Sequence, residues 1–359
     1  MYNKGVTLSE SGRYREALLC YNKVLKIDPK HIKALNNKGV TLGNLGRYNE
    51  ELTCYNKVLK IDPKHARTLN NKGVTLGNLG RYDEELSCYD KALEIEPSHI
   101  NTLYNKGIAL ANRGRHANAL VCYERALEID PKNTEALYNK GVVLADLGRF
   151  DEALVCYNQV LKMEPHYVRA LYDKGAVLGI IGRYDEELSC YNKALDIDPH
   201  QVKALNDKGV VLGNLGRYDE ALACYDKALQ IDPTYIDVLY NKGVTLGNLG
   251  RYKEELACYD KVLKINPTNI EALNNKGSAL GNLGRFDEAQ VCYNQVLKIE
   301  PKNVEALHNK DIVLGNFDKY HQALESYSQA FEIKPKNAET LHHRPTIKVI
   351  QRKKTEPDN

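Results

Sequence analysis

A 34-residue period runs through almost the whole of this 359-residue chain. One position of the period is always proline, and two glycine series, from Gly5 to Gly277 and from Gly12 to Gly284, keep the same step. The prolines of the series are Pro29, Pro63, Pro97, Pro131, Pro165, Pro199, Pro233, Pro267, Pro301 and Pro335. A period of this length is typical of proteins that stack copies of one supersecondary unit. It predicts about ten repeats in a single domain over residues 1–337, of which the first is incomplete.

The seventh repeat indicates what one unit folds into. Leu205, Gly209 and Leu212 lie at spacings of three and four residues, which place them on one face of a helix. Gly216 can end this helix in a left-handed conformation, and Pro233 ends a second helix. The second helix carries an apolar band that is too wide for one neighbour. Each unit is therefore expected to be a helical hairpin that packs against the next unit.

Several positions of this unit carry a resemblance to a known family. The glycine, alanine, aromatic and proline positions of the tetratricopeptide repeat (TPR) are occupied by Gly209, Ala221, Tyr225 and Pro233. The family's tryptophan, leucine and first tyrosine are replaced by Leu205, Lys208 and Leu212. The chain thus resembles the TPR family over residues 1–337. The resemblance implies an all-α fold, a right-handed superhelical α-solenoid of tandem helix-turn-helix repeats.

A glutamate replaces the small alanine of the repeat in four units. These residues are Glu51, Glu85, Glu187 and Glu255. A carboxylate at this position would crowd the close contact between the two helices. We expect a lysine, such as Lys38 or Lys72, to pair with it.

Both ends of the array depart from the pattern. Met1 falls inside the expected first helix. Either the natural protein starts there, or this chain is a piece of a longer array. Asp311 and Asp318 replace both glycines of the tenth unit, which we expect to act as a terminal cap. Residues 338–359 are expected to form an aborted helix, stopped at Pro345, and then a disordered polar tail.

The composition limits the classes of function. A formal net charge of +3 is small for this length and gives no strong attraction to polyanions. No apolar stretch approaches the ~20 residues of a membrane-spanning helix, and the amino terminus does not begin a secretory signal. We therefore expect neither a nucleic-acid partner nor a membrane partner.

The cysteines indicate the cellular compartment. An odd count without a CxxC pair argues against a disulfide framework or a zinc site. Packed helices about 10 Å apart would also hold successive cysteines too far apart for a disulfide. We expect buried apolar side chains in a reducing compartment, which indicates a cytoplasmic protein. All nine occupy one position of the repeat: Cys20, Cys54, Cys88, Cys122, Cys156, Cys190, Cys224, Cys258 and Cys292.

No group of residues has the pattern of a catalytic or cofactor site. The carboxylates recur with the repeat as solvated charge. The Gly-Asn-Leu-Gly segments lack the strand that a phosphate-binding loop requires. The sequence therefore predicts a protein that is not an enzyme and that has no cofactor or metal. Five histidines lie in the turns between units: His31, His65, His99, His166 and His200.

One position on the free side of the first helix is nearly always asparagine. The TPR resemblance implies that the first helices line a concave groove and that these side chains face it. An amide both donates and accepts hydrogen bonds, so it can bind the main chain of an extended peptide. The sequence leaves open the alternative that the asparagines bond to neighbouring repeats or to water. The candidate peptide-binding asparagines are Asn37, Asn71, Asn105, Asn139, Asn241 and Asn275, and Asn309 shares their position.

A second position on the same side varies in charge. Its basic residues, which complete the candidate groove site, are Lys33, Arg67, Arg169 and Lys203. In the last three units the position holds Asp237, Glu271 and Glu305. A partner with acidic and basic segments in matching order would be oriented by this pattern. The alternative is a tolerant, solvated surface.

These features favour a non-catalytic scaffold that binds an extended peptide or protein segment in its groove. Two alternatives stay open: a substrate-recognition or assembly arm of a larger multidomain enzyme or complex, and an array that self-associates through its terminal repeats. Nucleic-acid binding is disfavoured because a groove of mixed charge is not the uniformly basic surface that phosphates require.

Overall fold

The computed structural model describes residues 1–316 and 320–333, and over these residues it consists of α-helices joined by short turns, with no β-strand. The helices repeat as pairs with the period of the sequence. The chain divides into two compact units, Met1–Arg183 and Tyr184–Asn359. The predicted all-α repeat fold is confirmed, whereas the right-handed superhelix and the single domain over residues 1–337 stay predictions.

In the first unit, each odd-numbered helix from α1 to α9 forms a hairpin with the even-numbered helix that follows it. The odd-numbered helices, here called first helices, also pack against one another, so that they lie side by side. The even-numbered helices are called second helices. The bounds are α1 (Tyr2–Glu10), α2 (Tyr14–Ile27), α3 (Ile32–Gly43), α4 (Tyr48–Ile61), α5 (Ala66–Asn78), α6 (Tyr82–Ile95), α7 (Ile100–Ala111), α8 (His116–Ile129), α9 (Thr134–Asp146), α10 (Phe150–Met163) and α11 (Val168–Ile180).

The second unit repeats this arrangement over its described residues. It begins with α12, after which each first helix again forms a hairpin with the next second helix. The first helices α13, α15, α17 and α19 lie side by side. The bounds are α12 (Tyr184–Ile197), α13 (Val202–Asn214), α14 (Tyr218–Ile231), α15 (Ile236–Asn248), α16 (Tyr252–Ile265), α17 (Ile270–Asn282), α18 (Phe286–Ile299), α19 (Val304–Asn316) and α20 (Tyr320–Ile333).

Glycine and proline end the helices where the sequence predicts. Gly216 has a φ angle of +74°, and the Arg217 N–H donates to the Leu212 carbonyl at 2.8 Å. This left-handed conformation is available to glycine without strain. At the other end of the hairpin, α14 stops before Asp232, which is extended with a φ angle of −129°. An extended residue is expected there because Pro233 follows it.

The interior of most of the described hairpins is built on a contact between a glycine and a tyrosine. Tyr55 is 1% exposed, and a Cβ atom at Gly39 would lie 2.5 Å from its Cε1 atom. The same contact recurs between Gly73 and Tyr89. A larger residue would displace the ring, so the glycine series is a packing requirement. The nine cysteines, each next to such a tyrosine in the sequence, are buried and free, as predicted.

The glutamates at the alanine position are accommodated differently from the expectation. Neither Lys38 nor Lys72 pairs with a glutamate in the described part of the chain, so the expected lysine pairing is wrong. The Tyr55 hydroxyl donates to Glu51 Oε1 at 2.9 Å instead. The space comes from Gly43, because the Glu51 carboxylate lies 2.7 Å from where a Cβ atom of that residue would be. The carboxylate thus lies between the two helices of the hairpin.

The last repeat keeps its hairpin, α19 and α20, although an aspartate replaces a glycine there. Asp311 is 5% exposed, and burial raises the pKa of its carboxyl to about 7. Asp318, Pro345 and the tail over residues 338–359 lie outside the described residues. The terminal cap and the disordered tail therefore stay predictions.

Candidate functional site

The candidate binding residues lie on the solvent-facing sides of the first helices, a surface called here the first-helix face. It is described separately for the two units. Lys33, Arg67 and Arg169 of the first unit are exposed, and so is Lys203 of the second. The six candidate asparagines are half-buried. The assignment of these residues to a peptide-binding groove stays a prediction.

The asparagines link neighbouring repeats. Asn105 Nδ2 on α7 donates to Asn70 Oδ1 on α5 at 3.0 Å. An asparagine or tyrosine 35 residues earlier accepts the same kind of hydrogen bond from each of the other candidate asparagines. The other donors are Asn37, Asn71, Asn139, Asn241 and Asn275. Each of the six asparagines thus uses one amide hydrogen to bond to a neighbouring repeat, which is the alternative that the sequence left open.

This asparagine ladder leaves part of each amide for a ligand. An asparagine amide carries two donor hydrogens and an acceptor oxygen, and the contact with the previous repeat uses a single donor. In Asn139 the second donor goes to the Glu135 carbonyl at 2.8 Å, so only the oxygen is left. The acceptors occupy the repeat position just before the candidate asparagine. The asparagines among them, Asn36, Asn70 and Asn206, are buried. Their adjacency to the candidate asparagines was visible in the sequence, but the step of 35 residues between partners becomes apparent only once the helices are stacked.

A cavity of about 490 Å³ lies over α1, α3 and the start of α5. It is lined by Lys33, Arg67 and Asn37 of the candidate set, together with the apolar Val40 and with Tyr2. Neither Lys33 nor Arg67 has an ion-pair partner in the described part of the chain. Glu10 also lines the cavity, which therefore combines two cations and one carboxylate with amide groups and an apolar wall.

A second cavity, of about 480 Å³, lies between α5, α6 and α7. Asn105 and Ile108 line it beside Arg113. The Arg113 guanidinium carbon lies 4.2 Å from the centre of the Tyr82 ring, and its Nη2 atom lies 2.5 Å from Glu85 Oε2. This cation is already compensated within the chain, so the second cavity is more neutral than the first.

Farther along the first unit, Arg169 is also compensated. Its Nη2 atom lies 3.0 Å from Glu135 Oε1, and the Tyr167 hydroxyl donates to the same oxygen at 2.7 Å. The guanidinium lies 4.9 Å from the centre of the Tyr138 ring. Burial, together with Glu135, raises the pKa of Tyr167, which keeps its hydroxyl protonated as a donor. Arg169 therefore belongs to an aromatic cluster and is not an isolated cation.

The described residues contain little that suggests other chemistry. Among them, no group of three or more His, Cys, Asp or Glu side chains could hold a metal ion. Within residues 1–316 and 320–333, every helix is too short or too polar to cross a bilayer. The turn histidines His31, His65 and His99 serve as helix caps, since each side chain accepts a backbone N–H of the first helix that follows.

Stacked two-helix repeats with a polar face formed by successive first helices define a helical-hairpin repeat protein. The chain belongs to the tetratricopeptide repeat family. Three models, each described as a tetratricopeptide repeat, match it along most of its length. One matches residues 1–31, 100–133, 134–167, 202–235 and 270–303, a second matches residues 20–53, 54–86 and 224–257, and a third matches residues 168–201.

Solved structures of other repeat proteins are similar to this chain. A tetratricopeptide repeat protein from Parabacteroides merdae has a TM-score of 0.52 at 17% identity, over 70% of this chain and 97% of its own. PilW, a type IV pilus biogenesis factor, has a TM-score of 0.52 at 20% identity, over 58% of this chain and 97% of its own. YrrB, described as a TPR protein with an unusual peptide-binding site, has a TM-score of 0.45 at 26% identity, over 52% of this chain and 97% of its own. The first two support the fold alone, and no curated protein matches the chain.

Proposed function

We propose that this protein is a non-catalytic interaction scaffold that binds an extended peptide or protein segment along the first-helix face of its first unit. The cavity over α1, α3 and α5 is the observation that supports this most. Its amides can bind a main chain, and its Lys33 and Arg67 can bind carboxylates. Val40 supplies apolar contact in the same place.

Charge along this face suggests how the segment is arranged. The cations of the first cavity, Lys33 and Arg67, attract acidic side chains. Arg113 and Arg169 are each paired with a glutamate of the chain, so repeats four to six favour neutral or apolar side chains. The segment bound by the first unit would therefore carry its acidic residues over α1 to α5. Because all nine cysteines are free and buried, we place this binding in the cytoplasm.

A charge-reversal variant tests the proposal. The full chain and its K33E/R67E variant would be immobilised, and polypeptides retained from the source cells would be quantified by mass spectrometry. We expect a small set of polypeptides to be depleted at least about tenfold by the variant. The matched control, K23E/K57E, reverses two exposed lysines on the second helices α2 and α4 and should retain the set.

Retention of the same polypeptides by K33E/R67E would overturn the proposed site. Recovery of the chain itself as the main species would favour the self-associating array instead. Recovery of a fixed enzyme complex, insensitive to both variants, would favour the assembly arm.

A further inference from the structure

In the first unit, a carboxylate on the first-helix face holds an arginine of the same chain. Glu135 on α9 lies between Tyr104 of the previous first helix and Arg169 of the next one. Arg169 Nη2 is 3.0 Å from Glu135 Oε1, and the Tyr104 hydroxyl donates to Glu135 Oε2 at 3.3 Å. The repeat geometry at this position is thus able to hold a guanidinium group.

The second unit repeats this arrangement without the cation. Tyr240, Glu271 and Glu305 occupy, in order, the repeat positions of the tyrosine, glutamate and arginine just described. Asn275 Nδ2 donates to the Tyr240 hydroxyl at 3.0 Å, the same contact that the corresponding asparagine makes in the first unit. Glu271 and Glu305 are exposed, and neither has an ion-pair or hydrogen-bond partner in the described part of the chain.

The charges of both carboxylates affect the pKa of the same hydroxyl group, that of Tyr240. Burial raises the pKa of Tyr240, and the negative charges of Glu271 and Glu305 raise it further. The three residues lie on α15, α17 and α19, which pack side by side. Two like charges near one another are unfavourable, and a cation between them would relieve the repulsion.

A buried acceptor at the same place also lacks a donor. Asn274 on α17 is 2% exposed, and its Oδ1 atom has no hydrogen-bond partner among the residues described. At this repeat position, Asn70 Oδ1 accepts from Asn105 on the next first helix. On α19, Asn309 does not donate to Asn274 Oδ1 as Asn105 donates to Asn70 Oδ1. The site thus presents several acceptors, and its two carboxylates have no ion-pair partner among the residues described.

We propose that Tyr240, Glu271, Asn274 and Glu305 form a binding site for an arginine side chain carried by an extended segment of a partner protein. This inference rests on the proposed function, since the segment would lie along a first-helix face. A guanidinium offers five N–H donors in one plane and stays charged, which suits several acceptors spread over neighbouring helices. A lysine ammonium has three donors on one atom and fits this spread less well.

The test uses the full chain and two matched peptides of about 12 residues, long enough to pass three helices spaced roughly 10 Å apart. Both peptides contain glycine and asparagine with three further positions, which are arginine in one and citrulline, its uncharged isostere, in the other. Binding is followed by fluorescence anisotropy at low and high salt. We expect the arginine peptide to bind about tenfold more tightly than the citrulline peptide at low salt.

Two variants locate that preference. Glu305→Arg should recreate the arrangement of the first unit and fill the site with the chain's own cation, and E271Q/E305Q should remove the negative charge. Both should abolish the preference for arginine. The control E94Q/E128Q removes two exposed carboxylates from the second helices α6 and α8 and should keep it. Circular dichroism would verify that each variant is folded.

Equal binding of the two peptides to the unaltered chain, or an unchanged preference in E305R, would overturn the inference. Neither result would affect the proposed function, which depends on Lys33 and Arg67 in the other unit. A preference that appears only when Arg352, Lys353 and Lys354 are replaced by glutamine would show that the chain's own tail competes for the site, and it would overturn a partner protein as the occupant.

Discussion

Glu85 Oε2 and Arg113 Nη2 lie 2.5 Å apart across the interface between the third and fourth repeats. Arg113 replaces a leucine that most other repeats have at this position. Glu85 is 7% exposed, and the Arg113 guanidinium lies over the Tyr82 ring. Because the pair is largely removed from water, the loss of one partner should be more harmful than the loss of both.

Replacement of Arg113 alone therefore destabilises this interface. Arg113→Leu leaves Glu85 buried without its cation, and we expect the free energy of unfolding to fall by about 3 kcal/mol. The double variant E85A/R113L restores the residues of the common repeat and should lie within about 1 kcal/mol of the unaltered chain. Hydrogen exchange in α6 and α7 at increasing urea concentrations measures the free energy of unfolding of the single and the double variant. A double variant as unstable as the single one would contradict this account of the pair.

Glu255 makes stability depend on pH. Burial raises the pKa of its carboxyl from a usual value of 4.5 to about 7. The folded state then binds this proton more tightly, so the stabilisation is complete below about pH 4.5 and is lost as the pH rises through about 7. We expect a loss of about 3 kcal/mol across this window.

The variant Glu255→Gln isolates that contribution because a glutamine cannot ionise. Urea unfolding of both proteins should show a smaller decrease in stability between about pH 4.5 and about pH 7 for the variant. The decrease does not vanish, since burial also raises the pKa values of Glu51, Glu187 and Asp311. Parallel curves for the two proteins would contradict the burial of an ionisable Glu255.

The asparagine ladder contributes to stability as well as to binding. The variant N71A/N105A/N139A removes the hydrogen bonds that Asn36, Asn70 and Tyr104 accept from these side chains. We expect a loss of about 1 kcal/mol for each bond, with helix content preserved below the unfolding transition. Circular dichroism during thermal unfolding provides the measurement. An unchanged melting temperature would mean that these bonds contribute nothing net to the stacking of repeats.

The same variant is expected to weaken capture of a polypeptide under conditions where it is fully folded. The amide oxygens, together with the remaining donors of Asn71 and Asn105, are then lost to the ligand. Unchanged capture would assign the asparagines to repeat stacking alone.

Most of the fold could be predicted because it depends on residues that end the helices locally and that recur in each repeat. Gly216 supplies a left-handed helix end, and Pro233 stops the next helix, whatever lies around them. The glycines opposite the buried glutamates were harder to interpret. Gly43 precedes Glu51 by eight residues, as Gly77 precedes Glu85. The same glycine also occurs opposite alanine, so the sequence alone does not show that a carboxylate fills the space.

The candidate site was less predictable because its chemistry depends on contacts between repeats. Arg169 was predicted as an isolated basic residue of the groove, but it pairs with Glu135, a full repeat away in the sequence. The pairing of Arg113 with Glu85 likewise joins two departures from the common repeat. Both pairs could have been found by comparing neighbouring repeats for charged residues of opposite sign that differ from the common repeat sequence.

A photo-crosslinking amino acid placed at Val40 tests the central claim, that the first-helix face of the first unit binds an extended polypeptide. Val40 is 38% exposed and lines the cavity over α1, α3 and α5, whereas the control position Val121 is 54% exposed on the second helix α8. We expect crosslinks from Val40 to one short stretch of a partner polypeptide, absent with Val121 and lost in the K33E/R67E background. The same crosslinked partner from both positions, or crosslinks at Val40 that persist in that background, would contradict the claim.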